Sequence, residues 1–139
     1  MNKTIEFAAS PDAVWQTITD FSKYGEWNVT HVAFPDGAPT DVTAGATFKE
    51  KVKIMGMPGD VAWQVDEADA PTSLRLSGKG PMGTHMKYVY TLSPNGDGTQ
   101  LDLESEFGGA ALGAMAGALT KETDKALGES VEKLKALVA

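Results

Sequence analysis

Thr99-Gln100-Leu101-Asp102-Leu103-Glu104-Ser105-Glu106-Phe107-Gly108-Gly109-Ala110-Ala111-Leu112 is the stretch in which the chain changes its period. Up to Phe107 the residues alternate. Leu101, Leu103, Ser105 and Phe107 fall on one side, and Gln100, Asp102, Glu104 and Glu106 on the other. A period of two predicts a half-buried strand over 99–107. After Gly108-Gly109 the apolar positions Leu112, Met115, Leu119, Ala126, Leu127, Val131, Leu134 and Leu137 recur at steps of three and four. That spacing predicts one long helix over 110–137, roughly 40 Å long.

Upstream the same alternation repeats. Ile5 and Phe7 mark a short strand over 3–7. Ser10-Pro11-Asp12 then reads as a helix start: a hydroxyl N-cap, proline at the first helical position and an acid facing the dipole. The helix is predicted over 11–18, burying Val14, Trp15 and Ile18. Asp20 caps a second short helical turn through Tyr24, which Gly25 ends. Strands are predicted over 27–34, 46–55, 60–66, 73–79 and 84–92. The breaks between them are a loop at 35–45 and turns at 56–59, 80–83 and 94–98. The order is one strand, two short helices, six strands and one long helix. Short connections make the strands an antiparallel meander. A sheet with one polar face must cover the other, and only the long helix is large enough. The expected fold is therefore α+β, a seven-stranded curved antiparallel sheet around a long C-terminal helix, as a single domain over 1–139.

Composition narrows the functional classes. The chain has 139 residues, no cysteine and a formal charge of −7. The lack of cysteine removes disulfides and thiolate metal sites and fits a cytoplasmic location. The acidic balance argues against nucleic-acid binding. Arg75 is the single arginine. The N-terminus runs into a strand pattern with no apolar leader. The longest uncharged stretch, Phe107 to Thr120, is too short for a bilayer, which needs about 20 apolar residues, so no membrane insertion is expected.

The candidate site residues lie on the inward faces. Glu50 is the anomaly, because its neighbours on that face are Phe48, Val52 and Ile54. A carboxylate there must find a partner or be protonated. The open choices are a hydrogen bond to Tyr88, Tyr90, His31 or a water, a bulge that turns it outward, a ligand anchor, or a general base. His31 shares parity with Trp27 and Val29, whereas His85 falls on the outer face. Glu50 and His31 are the weak catalytic candidates, with Tyr88 and Tyr90 the other possible cavity acids or bases, and they form no triad or metal set. Trp27, Trp63, Tyr88, Tyr90, Phe107 and Leu119 are the inward large residues that could line a cavity. Gly113, Ala114, Gly117 and Ala118 are small residues on the facing helix. Lys49, Lys51 and Lys53 are read as a solvated strand face.

The two ends of the meander differ. The turns at 56–59 and 80–83 share one end with the junction at 108–109. The opposite loops carry Asp36, Asp41, Glu67, Asp69 and Asp97. The first end is flanked by Met55, Met57, Met82, Met86 and Met115, flexible side chains suited to varied apolar shapes. It could be plain core, a ligand entrance or a protein-docking surface.

The run Ser10-Pro11-Asp12-Ala13-Val14-Trp15, followed by Asp20, Tyr24 and Trp27, resembles the opening of the START-like superfamily, also called SRPBCC or polyketide cyclase/dehydrase-like. The Gly98-Thr99-x-Leu101 step resembles that family too. Glu26-Trp27, His31, Gly56-Met57-Pro58, Trp63 and Leu76-x-Gly78-x-Gly80 are similar to an actinobacterial subgroup whose members have been labelled toxin components of toxin–antitoxin pairs. The resemblance spans the whole chain and implies the helix-grip fold. The superfamily hosts lipid carriers, hormone receptors, cyclases and co-chaperone domains, so fold alone does not fix function. The leading reading is binding of a small hydrophobic or amphipathic ligand, lipid-like or polyketide-like, in an internal cavity without a cofactor. Trp27, Glu50, Trp63, Met57, Met82, Met86, Tyr88, Tyr90, Phe107, Met115 and Leu119 are its expected contacts. The alternatives are a cyclase or dehydratase and a protein-interaction module such as a toxin–antitoxin component.

Overall fold

The computed structural model describes residues 2–40, 42–54, 56–80, 83–108 and 116–138, with the backbone alone for Ile54, Met57, Phe107, Ala116, Leu119 and Thr120. Strand β1 (Asn2–Phe7) leads into α1 (Pro11–Thr19), a 3-10 helix (Phe21–Glu26), β2 (His31–Ala33), β3 (Thr47–Ile54), β4 (Met57–Asp69), β5 (Ser73–Lys79), β6 (His85–Asn95), β7 (Gly98–Gly108) and α2 (Ala116–Val138). The seven strands form one sheet in the order β1-β7-β6-β5-β4-β3-β2. Every pairing is antiparallel. Beginning and end of the strand run therefore meet at β1 and β7, while α1 and the 3-10 helix carry the chain across to the far edge.

The N-capping signals work as read, whereas Gly25 does not end the second helix, which runs on to Glu26. Ser10 sits at the N-cap of α1 and its side chain accepts from the Ala13 backbone N–H, with Pro11 in the first turn. Asp20 caps the 3-10 helix by accepting from the Ser22 N–H. Val14 and Ile18 are buried under α1, while Trp15 is half-buried.

Helix α2 packs chiefly on β1 and also touches α1, the 3-10 helix and β3. Since β1 and β3 lie toward opposite edges of the sheet, a helix that reaches both crosses the mouth of the curl. Leu127, Val131 and Leu134 are buried in the resulting core with Ile5, Val61, Val65, Leu74, Leu76, Leu101 and Leu103. This is the helix-grip architecture. The expected start of the helix at 110 and its Leu112 and Leu119 contacts fall outside the described residues and side chains.

Three boundaries and the facing of one pair differ from expectation. Residues 27–34 do not form one strand, and β2 keeps only His31–Ala33. Trp27 instead closes the 3-10 helix, its N–H bonding back to Tyr24. Asn28 Oδ1 accepts from both the N–H and the hydroxyl of Thr30, a local side-chain turn that competes with a ladder. Strand β4 starts at Met57 rather than 60, because Ile54 pairs with Met57 across a two-residue turn whose Gly56 has φ +76°. That positive φ is what glycine supplies at little cost. The turn between β6 and β7 is equally tight, with Asn95 opposite Gly98 and Gly96 at φ +61°. Lastly, Gly117 and Ala118 are exposed, so this small-residue pair does not line the interior.

Candidate functional site

Glu50 is 1% exposed and stands in the middle of β3. Its directly opposite partner on β4 is Val61, and Phe48 is opposite Trp63. Trp63 is therefore diagonal to Glu50, close enough for a long side chain to bridge. On the other edge of β3, His31 is opposite Val52 and so also diagonal to Glu50. The carboxyl uses both diagonals. Its Oε1 accepts from Trp63 Nε1 at 2.9 Å. Its Oε2 lies 2.7 Å from His31 Nδ1. Of the choices open at the sequence level, the structure selects the inward-facing carboxyl partnered by His31 and adds Trp63.

Burial pushes the Glu50 carboxyl above the ordinary carboxylate value, and the hydrogen bonds from His31 and Trp63 pull against it without reversing the direction. A carboxyl and an imidazole in contact at this distance share one position where a proton can sit on either partner.

Glycine 78 makes the Trp63 contact possible. A Cβ at that position would stand 2.7 Å from Trp63 Cε3 and 2.8 Å from Val61 Cγ1. With no side chain at Gly78, the indole packs close against β5 and its Nε1 reaches Glu50.

Around this pair runs an aromatic lining. Phe48 stacks on Trp63 with ring centres 6.4 Å apart, and Trp63 stacks on Tyr88 at 5.4 Å. Tyr24 touches Trp27 at 5.0 Å and His31 at 5.3 Å, both edge-on. Its phenol is hydrogen-bonded with that of Tyr90 and with Asn28. Tyr88 lies opposite Ser105 across β6 and β7 and is hydrogen-bonded to it. Desolvation drives the Tyr88 phenol up to about 12 and raises Tyr90 and Tyr24 too, so all three are neutral donors at physiological pH.

The structure thus brings together Trp27, His31, Glu50, Trp63, Tyr88 and Tyr90 from the expected set. Met86 is buried and faces inward with them. Met82 and Met115, and the side chains of Met57, Phe107 and Leu119, lie outside the described part. Sequence reading missed Tyr24, Asn28, Thr123 and Ser130. The last two are buried on the inward face of α2, where they interrupt an otherwise apolar stripe with Leu127, Val131 and Leu134. Hydroxyls at core spacing on a helix were the available signal.

Space inside the grip is small where it is described. Trp27, Asn28, Thr30, Tyr88, Tyr90, Leu103, Thr123, Ala126, Leu127 and Ser130 enclose about 20 Å³. A much larger groove of about 820 Å³ lies elsewhere. Its walls include the outward-facing Thr47, Lys49, Ala62, Gln64, Lys79, His85 and Lys87, and it reaches neither Glu50 nor the tyrosines. Phe48, Trp63 and Met86 of the buried cluster also border it. Among the described residues, no group of three or more His, Cys, Asp or Glu could hold a metal ion.

A curled antiparallel sheet gripping a helix is also the fold that comparison with known proteins returns. The family model described as polyketide cyclase / dehydrase and lipid transport matches residues 1–139. The chain belongs to this family. Within reach of the polyketide cyclase / dehydrase and lipid transport family, the uncharacterized protein Rv1546 of Mycobacterium tuberculosis is 30% identical over 128 residues, covering 88% of this chain and 90% of that protein. A protein named toxin Rv0910 from the same organism is 24% identical over 112 residues, covering 81% of this chain and 78% of its own length. Among solved structures, a START superfamily protein from Mycobacterium smegmatis superposes with a TM-score of 0.69 at 25% identity, covering 99% of this chain and 95% of that one. The helix-grip, START-like expectation holds. No helix among the described residues is long and apolar enough to cross a membrane.

Proposed function

We propose that this protein binds a small amphipathic molecule, lipid-like or polyketide-like, against the concave face, with the polar end of the guest near Glu50 and His31. The observation that carries the reading is the 1%-exposed carboxyl held between His31 and Trp63 on a face otherwise built of aromatic and aliphatic side chains. A buried charge-capable pair gives the fold little, since hydrophobic residues of similar volume often serve stability as well or better. Such departures from local consistency concentrate at functional sites. The aromatic lining supplies apolar contact area, and the neutral phenols supply donors. Family membership supports the same class of guest.

The test is titration with a dansyl-labelled fatty acid. Saturable binding with quenching of tryptophan emission is expected, and Trp63→Phe should reduce the quenching. Absence of saturable binding by this probe and by a panel of lipids and aromatic polyketides would overturn the reading.

One observation favours a second reading, an enzyme of the cyclase or dehydratase type. A carboxyl and an imidazole 2.7 Å apart form an acid–base couple in which burial holds the carboxyl's proton more tightly. Turnover of a bound polyketide that is lost in Glu50→Gln, with binding retained, would establish it.

A further inference from the structure

Among the described residues, Trp27 Nε1 and Thr123 Oγ1 are buried without a hydrogen-bond partner, and both residues lie around one enclosed space. Trp27 is 1% exposed, Thr123 is 4% exposed, and neither Trp27 Nε1 nor Thr123 Oγ1 is bonded. They come from different elements, the end of the 3-10 helix and the inward face of α2. Both line the space of about 20 Å³ described above. Leaving a buried donor unsatisfied is costly, so two at one place call for an explanation.

The chemistry of the two groups defines what fits. An indole N–H can only donate. A threonine hydroxyl donates and accepts. Their common complement is an acceptor oxygen, and the space is of the size of one such atom. Of the other polar groups at its wall, Asn28 is engaged with Thr30 and Tyr24 and Tyr90 with Tyr24, while Ser130 Oγ accepts from the Val29 N–H and keeps its own O–H to donate. A buried water typically makes about three hydrogen bonds. Here Trp27, Thr123 and Ser130 each have a proton to offer one acceptor oxygen, and the rest of the wall is Leu103, Ala126 and Leu127, which suits an oxygen carried on carbon. Tyr88 connects this space with the Glu50 cluster, since it lines the space and stacks on Trp63.

We infer that Trp27 and Thr123 form a subsite for a carbonyl or hydroxyl oxygen of the guest, so that the ligand class is a neutral oxygenated molecule, its body along the Trp63 and Tyr88 rings. The subsite rests on the binding reading above. It adds a second polar contact, under α2, distinct from Glu50 and His31.

The experiment compares α-tetralone with tetralin, which differ by the carbonyl oxygen, as displacers of the dansyl fatty acid. The proteins are wild type, Trp27→Phe, Thr123→Val and Thr123→Ser, each first checked for a cooperative thermal transition. Wild type is expected to prefer the ketone by about tenfold or more. Thr123→Val should lose most of that preference with tetralin affinity unchanged within about twofold, Trp27→Phe should lose the preference as well, and Thr123→Ser should restore it. Equal affinity of wild type for both compounds, or a preference untouched by Thr123→Val, overturns the subsite and leaves the binding reading standing. Failure of both compounds and of the probe itself to bind overturns the binding reading and the subsite with it. In a crystal structure of the ketone complex, the carbonyl oxygen between Trp27 and Thr123 confirms the assignment. An ordered water there, with the ketone elsewhere, overturns it.

Discussion

Replacing Glu50 by glutamine keeps the shape of the side chain and removes its charge. Glutamine can still accept from Trp63 Nε1, and its amide can donate to an unprotonated His31 Nδ1, so both contacts survive. The ionisation does not. Burial raises the Glu50 pKa above the ordinary 4.5. Below that value both folded and unfolded chains hold the proton. As pH rises past it, the unfolded chain releases its proton while the folded chain retains it, so stability falls until the raised folded value is passed. Wild type should therefore lose stability from about pH 4.5 upward relative to Glu50→Gln, and the variant should be level with or above wild type at pH 7 in urea denaturation. A clear loss at pH 7 would show an ionised carboxylate well paired with His31. The site's key residue was legible in the sequence because alternation in 46–55 leaves Glu50 on the apolar face. Its partners were only partly legible. His31 was placed inward by parity along a strand that does not exist as drawn, since Asn28 and Thr30 form a turn there. Trp63 as a donor to Glu50 depends on side-chain reach along a diagonal, which alternation does not encode.

At the scale of elements, β5 and α2 carry the sharpest expectations. Gly78→Ala would put a methyl 2.7 Å from the Trp63 ring. Overpacking of this kind costs about 1–3 kcal/mol and here also displaces the indole from Glu50. Chemical denaturation should show the loss, and the Trp63 emission maximum should shift. On α2, Leu134 is 0% exposed. Leu134→Ala should cost about 2–5 kcal/mol, whereas Lys133→Ala on the exposed face should stay within about 0.5 kcal/mol. Equal effects would mean that the helix does not seat as described. The helix itself was legible from its three- and four-residue steps. The hydroxyls Thr123 and Ser130 were not singled out, because a hydrophobic pattern registers apolar residues and passes over small polar ones at the same spacing.

Across the whole molecule, the element order, the antiparallel meander and the gripping helix follow from changes of period and from short connections. The tight hairpins at Gly56 and Gly96 extend the strands beyond their alternating cores, since a positive φ lets pairing continue to a two-residue turn. What the sequence leaves open is the guest, because a site assembled from β2, β3, β4, β6, the 3-10 helix and α2 depends on distances between side chains far apart in the chain. The central claim is that the concave face binds an amphipathic, oxygen-bearing small molecule. Native mass spectrometry of the purified protein, followed by organic extraction and identification of what is released, tests it most directly. The account predicts a mass above that of the chain by one small molecule, removable by extraction, neutral, apolar in body and carrying a carbonyl or hydroxyl, with occupancy reduced in Thr123→Val. A protein at its bare chain mass that also fails to take up the fatty-acid probe would contradict it.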